Sequence, residues 1–167
     1  MAKQREHQRK DQVETDITEK VLYINRCAKV VKGGRKFSFS ALILAGDGKG
    51  RVGYGFAKAN ELTDAIKKGG EFARKNMRHF PLEGTTIPHE IRVEWDGASV
   101  LLRPVPRGGG MTAGSKPRDV LEFAGIKDVM AKSLGSNNPL NLVKATFKAL
   151  EELSSRKSIK EARGIDS

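Results

Sequence analysis

Hydrophobic and polar positions change rhythm several times along the chain, and each change marks an element. Residues 1–17 are polar and charged with no apolar face, which predicts a flexible arm. From Val21 to Val31 β-branched and apolar residues dominate, predicting a strand. Lys32-Gly33-Gly34-Arg35-Lys36 reads as a loop and Phe37 to Ala45 as a second strand. Asp47-Gly48-Lys49-Gly50 is a turn, because glycine tolerates the positive φ that hairpins need. Arg51 to Ala57 alternates Val52, Tyr54 and Phe56 with Arg51, Gly53 and Gly55, a third strand. The period then lengthens. Leu62, Ile66, Gly69, Ala73, Met77 and Phe80 share one stripe of a helix predicted over residues 62–79, with Lys67, Arg74 and Arg78 on another side and Lys68 and Lys75 beside them. Gly69-Gly70 costs such a helix roughly 1 kcal/mol per glycine, so the pair points to close packing.

Phe80-Pro81-Leu82-Glu83-Gly84 interrupts the pattern and predicts a domain boundary. Ile87, His89, Ile91, Val93 and Trp95 alternate with mostly polar residues, and Asp96-Gly97 is a two-residue hairpin signal. Ala98 to Val105 returns as a strand and runs into a Pro-rich, then Gly-rich segment. Pro117 suits a first helical turn and Gly125 a helix stop, followed by a short strand near residues 128–133. Asn138-Pro139 opens a last helix, predicted through Leu153, with Leu142, Val143, Thr146, Phe147 and Leu150 inward. The expected fold class is α+β: two small domains ordered β-β-β-α (18–82) and β-β-α-β-α (83–153), between an arm (1–17) and a charged tail (154–167).

Charge narrows the partner. Across 167 residues, 31 Lys and Arg face 20 Asp and Glu, a net +11. The excess is lopsided: residues 1–82 hold 18 cations and 9 acids, residues 83–167 hold 13 and 11. Lys20 to Gly46 carries six cations and no acid. Net charge alone speaks to solubility, whereas concentration in one segment fits a phosphate-facing surface. No apolar run approaches the roughly 18 residues of a membrane span, and the charged start lacks a signal-peptide core. The expectation is a soluble, intracellular protein with a polyanionic partner and no membrane.

The chemistry-bearing residues agree. Gly48-x-Gly50-x-x-Gly53 matches a dinucleotide fingerprint on paper, but an alternating strand follows it where that motif needs a helix. His7, His79 and His89 stand far apart, Cys27 is the single cysteine, and carboxylates are scattered, so no catalytic group, metal site or cofactor is expected. Lys32-Gly33-Gly34-Arg35-Lys36 is the suggestive stretch. Its glycines let backbone approach a ligand, and its cations, with Arg26, Lys29, Lys49 and Arg51 expected nearby, suit phosphate oxygens of RNA. The segment 107–114 is either a connector or a loop ordered by a partner.

Val31-Lys32-Gly33-Gly34-Arg35, Phe37-Ser38-Phe39, Gly46-Asp47-Gly48 and Gly53-Tyr54-Gly55 resemble the bacterial-type small-ribosomal-subunit protein five family. So do Ala124-Gly125-Ile126-Lys127-Asp128-Val129 and Lys132-Ser133-Leu134-Gly135-Ser136-Asn137-Asn138-Pro139, and the match runs from about residue 18 to 153. The resemblance implies a double-stranded-RNA-binding-like first domain lacking its first helix, and a second domain with a left-handed β-α-β crossover. It implies a structural constituent of the small subunit that binds ribosomal RNA, fixes the head relative to the body, and influences decoding accuracy through its interface with ribosomal protein four. It also implies a cytoplasmic place in that subunit and no small-molecule substrate. Protein eight and messenger RNA near its path into the subunit are further implied partners, and the loop matching Val31 to Lys36 would approach the spectinomycin-binding region. Arg107 in the Gly-rich loop is expected to add RNA contact, and Gly114 and Arg118 to serve the partner interface. Ser115-Lys116-Pro117 departs from the family's small and apolar residues there, so nothing is carried over to Ser115 or Lys116. Two other classes fit parts of the pattern. A free-standing RNA-binding factor would share the basic first half, and a small phosphotransfer enzyme would need a phosphate loop opening onto a helix, which the sequence lacks.

Overall fold

The computed structural model describes residues 17–155, 159–160 and 163–164. The arm expected at 1–17, apart from Ile17, and most of the tail expected at 154–167 lie outside them. The described chain runs β1 (Thr18–Val31), β2 (Gly34–Gly46), β3 (Arg51–Ala59), α1 (Leu62–Lys75), β4 (Arg78–His79), β5 (Ile91–Trp95), β6 (Ala98–Pro104), β7 (Met111–Thr112), α2 (Ser115–Ala124), β8 (Val129–Gly135) and α3 (Pro139–Glu151).

The first sheet has the order β1-β2-β3-β4, all antiparallel. The expected three-stranded meander is therefore four-stranded. The helix predicted over 62–79 ends at Lys75, and Arg78-His79 leaves it to pair with Val52 and Arg51 at the open edge of β3. The cations expected on the side of this helix away from its apolar stripe are partly engaged. Arg74 bonds Glu19 at 2.7 Å, and Arg78 pairs with Glu151 of α3.

Glycine decides how α1 seats. A Cβ on Gly55 would lie far inside contact distance of the Gly69 carbonyl oxygen, and one on Gly53 would collide with the Ala73 carbonyl oxygen. A Cβ on Gly69 would meet Ile43 Cδ1 at 2.8 Å. The spaced glycines of β3 thus let the backbone of α1 approach the strand, while the glycine pair of α1 leaves room for the Ile43 and Glu19 side chains, a packing role rather than that of a nucleotide loop.

The second sheet has the order β5-β6-β8-β7. Asp96 (φ 48°) and Gly97 (φ 78°) both take the left-handed region of a two-residue hairpin turn, as their pairing predicts. The strand expected to include Ile87 and His89 begins only at Ile91, and β7 is a two-residue strand that pattern reading misses. It pairs in parallel with β8, so α2 forms the crossover between them. Gly125 (φ 91°) closes α2, and Asn138 Oδ1 accepts from Leu140 N–H at 3.1 Å to open α3, which ends at Glu151 rather than Leu153.

One large apolar cluster joins the halves, beside a smaller one between β2 and α1. Ala41 and Ile43 of β2 pack against Ala65 of α1. Leu42 and Leu44, on the opposite side, join Val52, Phe80, Val120, Leu121, Phe147, Val100 and Leu102 in one cluster. Tyr54 and Phe80 meet the Phe147 ring edge-on at 4.8 and 5.8 Å. The layers run helix, sheet, helix pair, sheet, and β2 is buried on both faces, consistent with its unbroken apolar run. The apparent boundary at residues 80–84 thus separates sheets that share one core.

Gly55→Ala should destabilise the protein by about 1–3 kcal/mol or more, because the intruded atoms are backbone and cannot rotate away. Gly114→Ser, where a Cβ meets only Ser133 Oγ at 3.8 Å, should leave stability unchanged or raised. Thermal melting of both variants checks the contrast.

Candidate nucleic-acid interface

The β1–β2 hairpin is longer than the body that supports it. β3 pairs with β2 only from Phe39 to Gly46, so Gly34 to Ser38 and the matching part of β1 form a two-stranded ribbon. That ribbon projects by about five residues, roughly 17 Å, beyond the sheet. The loop expected at 32–36 is a two-residue turn. Val31 pairs with Gly34, Gly33 takes φ 91°, and Arg35 and Lys36 are strand residues. A Cβ at Gly33 or Gly34 would meet nothing within 4 Å, so the space beside the tip backbone is open to an incoming group.

Register places the cations. Lys29 lies directly opposite Lys36, and Val30 opposite Arg35. Alternation therefore sets Lys29 and Lys36 on one face, Arg26 and Arg35 on the other, and Lys32 at the tip. All five are exposed, and among the described residues none has a carboxylate partner. Like charges opposite one another cost stability unless something anionic lies between them. The ribbon gathers that charge, and no acid among the described residues pairs with it.

Lys49 and Arg51 are not brought to this cluster. They sit at the other end of the hairpin pair, about 40 Å of strand away from the tip. There Asp47 organises the turn. Its Oδ1 accepts from Lys49 N–H at 2.8 Å and Arg51 N–H at 3.1 Å, and its Oδ2 takes the Arg51 Nε–H at 2.7 Å. Burial by itself would raise the Asp47 pKa, but these bonds outweigh it and hold the carboxyl below its ordinary value. The turn docks on the end of α2, with Gly48 N–H donating to the Phe123 carbonyl and Gly50 N–H to that of Ala124.

That docking opens a cleft of about 470 Å³ lined by Gly48, Met111, Arg118, Glu122, Ile126 and Lys127. Arg118 is exposed on α2, and its N–H donates to the carbonyl of Gly114, the residue that caps the helix. The two expected partner-interface residues are thus one helical turn apart, beside the Lys49 turn. Arg107 is exposed in the Gly-rich loop, its Nη2 3.1 Å from where a Gly84 side chain would begin.

Sequence reasoning missed what holds the Gly-rich loop. Asp128 is buried, and its Oδ1 accepts from Gly108 N–H at 3.1 Å and Gly110 N–H at 2.9 Å while its Oδ2 accepts from Thr85 Oγ1 at 2.6 Å. The Thr85 hydroxyl first, then the Gly110 and Gly108 amides and Lys127, pull its pKa down against the effect of burial. The signal available was the loop itself: a glycine run leaves amides that need an acceptor. Lys116 was also missed. Its Nζ donates at 2.8 Å to the carbonyl of Leu22, the bulged residue of β1, while Lys20 bonds Asp119 at 2.8 Å. Among the described residues no cluster of His, Cys, Asp or Glu is placed to hold a metal.

Comparison with known proteins places these features in a family. The sequence model described as "Ribosomal protein S5, N-terminal domain" matches residues 17–81, and "Ribosomal protein S5, C-terminal domain" matches residues 93–163. The chain is similar to the small ribosomal subunit protein uS5 of Protochlamydia amoebophila, 71% identical over 99% of this chain and 100% of that protein. It is 65% identical to the uS5 of Chlamydia abortus and 63% identical to that of Chlamydia trachomatis serovar D, each over 91% of this chain and 93% of the relative.

The depressed Asp128 pKa has a defined sign. The stability it contributes is fully present above the ordinary carboxylate value near 4 and is lost as pH falls through the lower folded value. Asp128→Asn keeps an acceptor for both glycine amides but cannot titrate. Unfolding midpoints measured at pH 6 and pH 3 should therefore fall less in this variant than in the parent. Asp128→Ala should melt lower at both.

Proposed function

The chain belongs to the ribosomal protein S5 family, whose members are structural and not enzymatic, and from that premise we propose that it is built into the cytoplasmic small ribosomal subunit through phosphate contacts of its projecting ribbon. The observation that carries this reading is the exposed, acid-free ribbon, where Arg26, Lys29, Lys32, Arg35 and Lys36 crowd without carboxylate partners among the described residues. Phosphate oxygens of ribosomal RNA supply the missing charge, Gly33 and Gly34 let the RNA backbone come close, and shape rather than sequence is recognised. Lys49, Arg51 and Arg107 would make a second, separate set of RNA contacts near the cleft.

The remaining roles follow from the family resemblance. The unit at 18–82 holds the head of the subunit relative to its body, and the unit at 83–153 meets ribosomal proteins four and eight. Basic residues line the path of messenger RNA into the subunit. Gly114 and Arg118 belong to the protein-four interface, whose opening or tightening biases decoding. A bias of about 1–2 kcal/mol there shifts a two-state equilibrium roughly five- to thirty-fold. Support for this reading comes from the exposure of Arg118 beside an open cleft and from the rigid anchoring of the neighbouring loop by Asp128.

Replacing Arg26, Lys32, Arg35 and Lys36 together by Gln should weaken binding to protein-free small-subunit RNA. It should also flatten the log–log salt dependence by about 0.7–0.9 for each phosphate that is no longer neutralised. Unchanged affinity and slope, with unchanged incorporation into the particle at every ionic strength, would contradict the reading. Arg118→Ala in properly assembled subunits should change the misreading rate, and equal error rates count against its interface role.

A further inference from the structure

One face of the ribbon carries more than charge. Alternation puts Ile24, Arg26, Ala28 and Val30 of β1 beside Arg35 and Phe37 of β2, on the side that α1 covers farther along the sheet. The apolar packing of α1 extends only as far as Phe39, so Val30 is left 75% exposed and Phe37 45% exposed. The guanidinium carbon of Arg26 lies 3.7 Å from the centre of the Phe37 ring. Arg26 and Phe37 belong to neither core cluster, so what the fold gains from the ring is the contact with Arg26 and not core packing.

An exposed ring costs hydrophobic free energy until something covers it. The six cations and the absence of acid between Lys20 and Gly46 select an anionic partner, and a planar group stacks on a guanidinium–ring pair where an aliphatic one does not. RNA meets both conditions, because each phosphate arrives with a base attached and every base has a π-face. We propose that Arg26 and Phe37 form a stacking platform for an unpaired base of the RNA, while Lys29 and Lys36 take phosphates on the opposite face. The ribbon thus enters an RNA cleft edge-on, reading a flipped-out or terminal base with one side and the backbone with the other. The inference rests on the RNA-binding reading above and adds to it a base contact at a named pair.

Salt titration of the full chain against protein-free small-subunit RNA separates the two. Phe37→Val should lose about five- to a hundred-fold in affinity with the salt slope unchanged, since stacking releases no counterions. Phe37→Tyr should stay within twofold. The double variant Lys29→Gln and Lys36→Gln should lower the slope, and if it does not, the phosphate reading fails whatever Phe37 does. Phe37→Val binding within twofold of the parent overturns the platform. So does a defect that emerges only when other ribosomal proteins are present, because the ring would then seat on protein. Ultraviolet irradiation of the unsubstituted complex gives a readout independent of folding in the variants. An RNA adduct is expected on the peptide holding Phe37, and its absence also overturns the proposal.

Discussion

Burial of β2 on both faces is the constraint on which the rest of the molecule depends. Between Phe39 and Gly46 the strand is held on one side by α1 and on the other by the shared core, with Leu42, Ile43 and Leu44 almost wholly removed from water. Each such side chain contributes about 1.5–3 kcal/mol. Between Gly34 and Ser38 the same strand has a single neighbour and is open to solvent on both sides. The anchored half fixes the register of the free half, so the backbone positions that carry the cations are set by strand pairing. A flexible basic loop would lose conformational entropy on every encounter with RNA, and a ribbon clamped at its root loses much less.

The same logic governs the second half. Its Gly-rich loop would be entropically costly to order, yet Asp128 and Thr85 tie it to the start of β8 and to the turn at 83–86. Lys116 and the Lys20–Asp119 pair fasten α2 to β1. The helix bearing Arg118 is therefore coupled to the root of the ribbon through short polar contacts as well as through the core. Lys116, in the stretch expected to depart from the family pattern, donates to the bulge carbonyl of Leu22.

Much of this was legible in the residues. Asp96-Gly97, Gly125 and Asn138-Pro139 announced their turn, stop and cap because each depends on local backbone geometry. The unbroken apolar run in β2 announced a strand, though not that it would be covered twice. What was not legible depends on partners distant in sequence. Arg78-His79 left its helical period because the edge of β3 was open to pairing, and β7 is two residues long. Lys49 and Arg51 are expected near the other cations, yet the loop at 32–36 and the turn at 47–50 flank opposite ends of one strand, and the length of β2 sets how far apart they lie. Asp128 gave no periodic signal, since its partners stand 18 to 43 positions away.

The central claim is that the ribbon is the part of this protein that grips RNA. Crosslinking of intact small subunits, with adducts mapped by peptide, tests it most directly. RNA adducts are expected to concentrate on peptides spanning residues 26–37, with those spanning 107–118 divided between RNA and neighbouring protein. A map in which the ribbon peptides link only to protein, or to nothing, would contradict the claim.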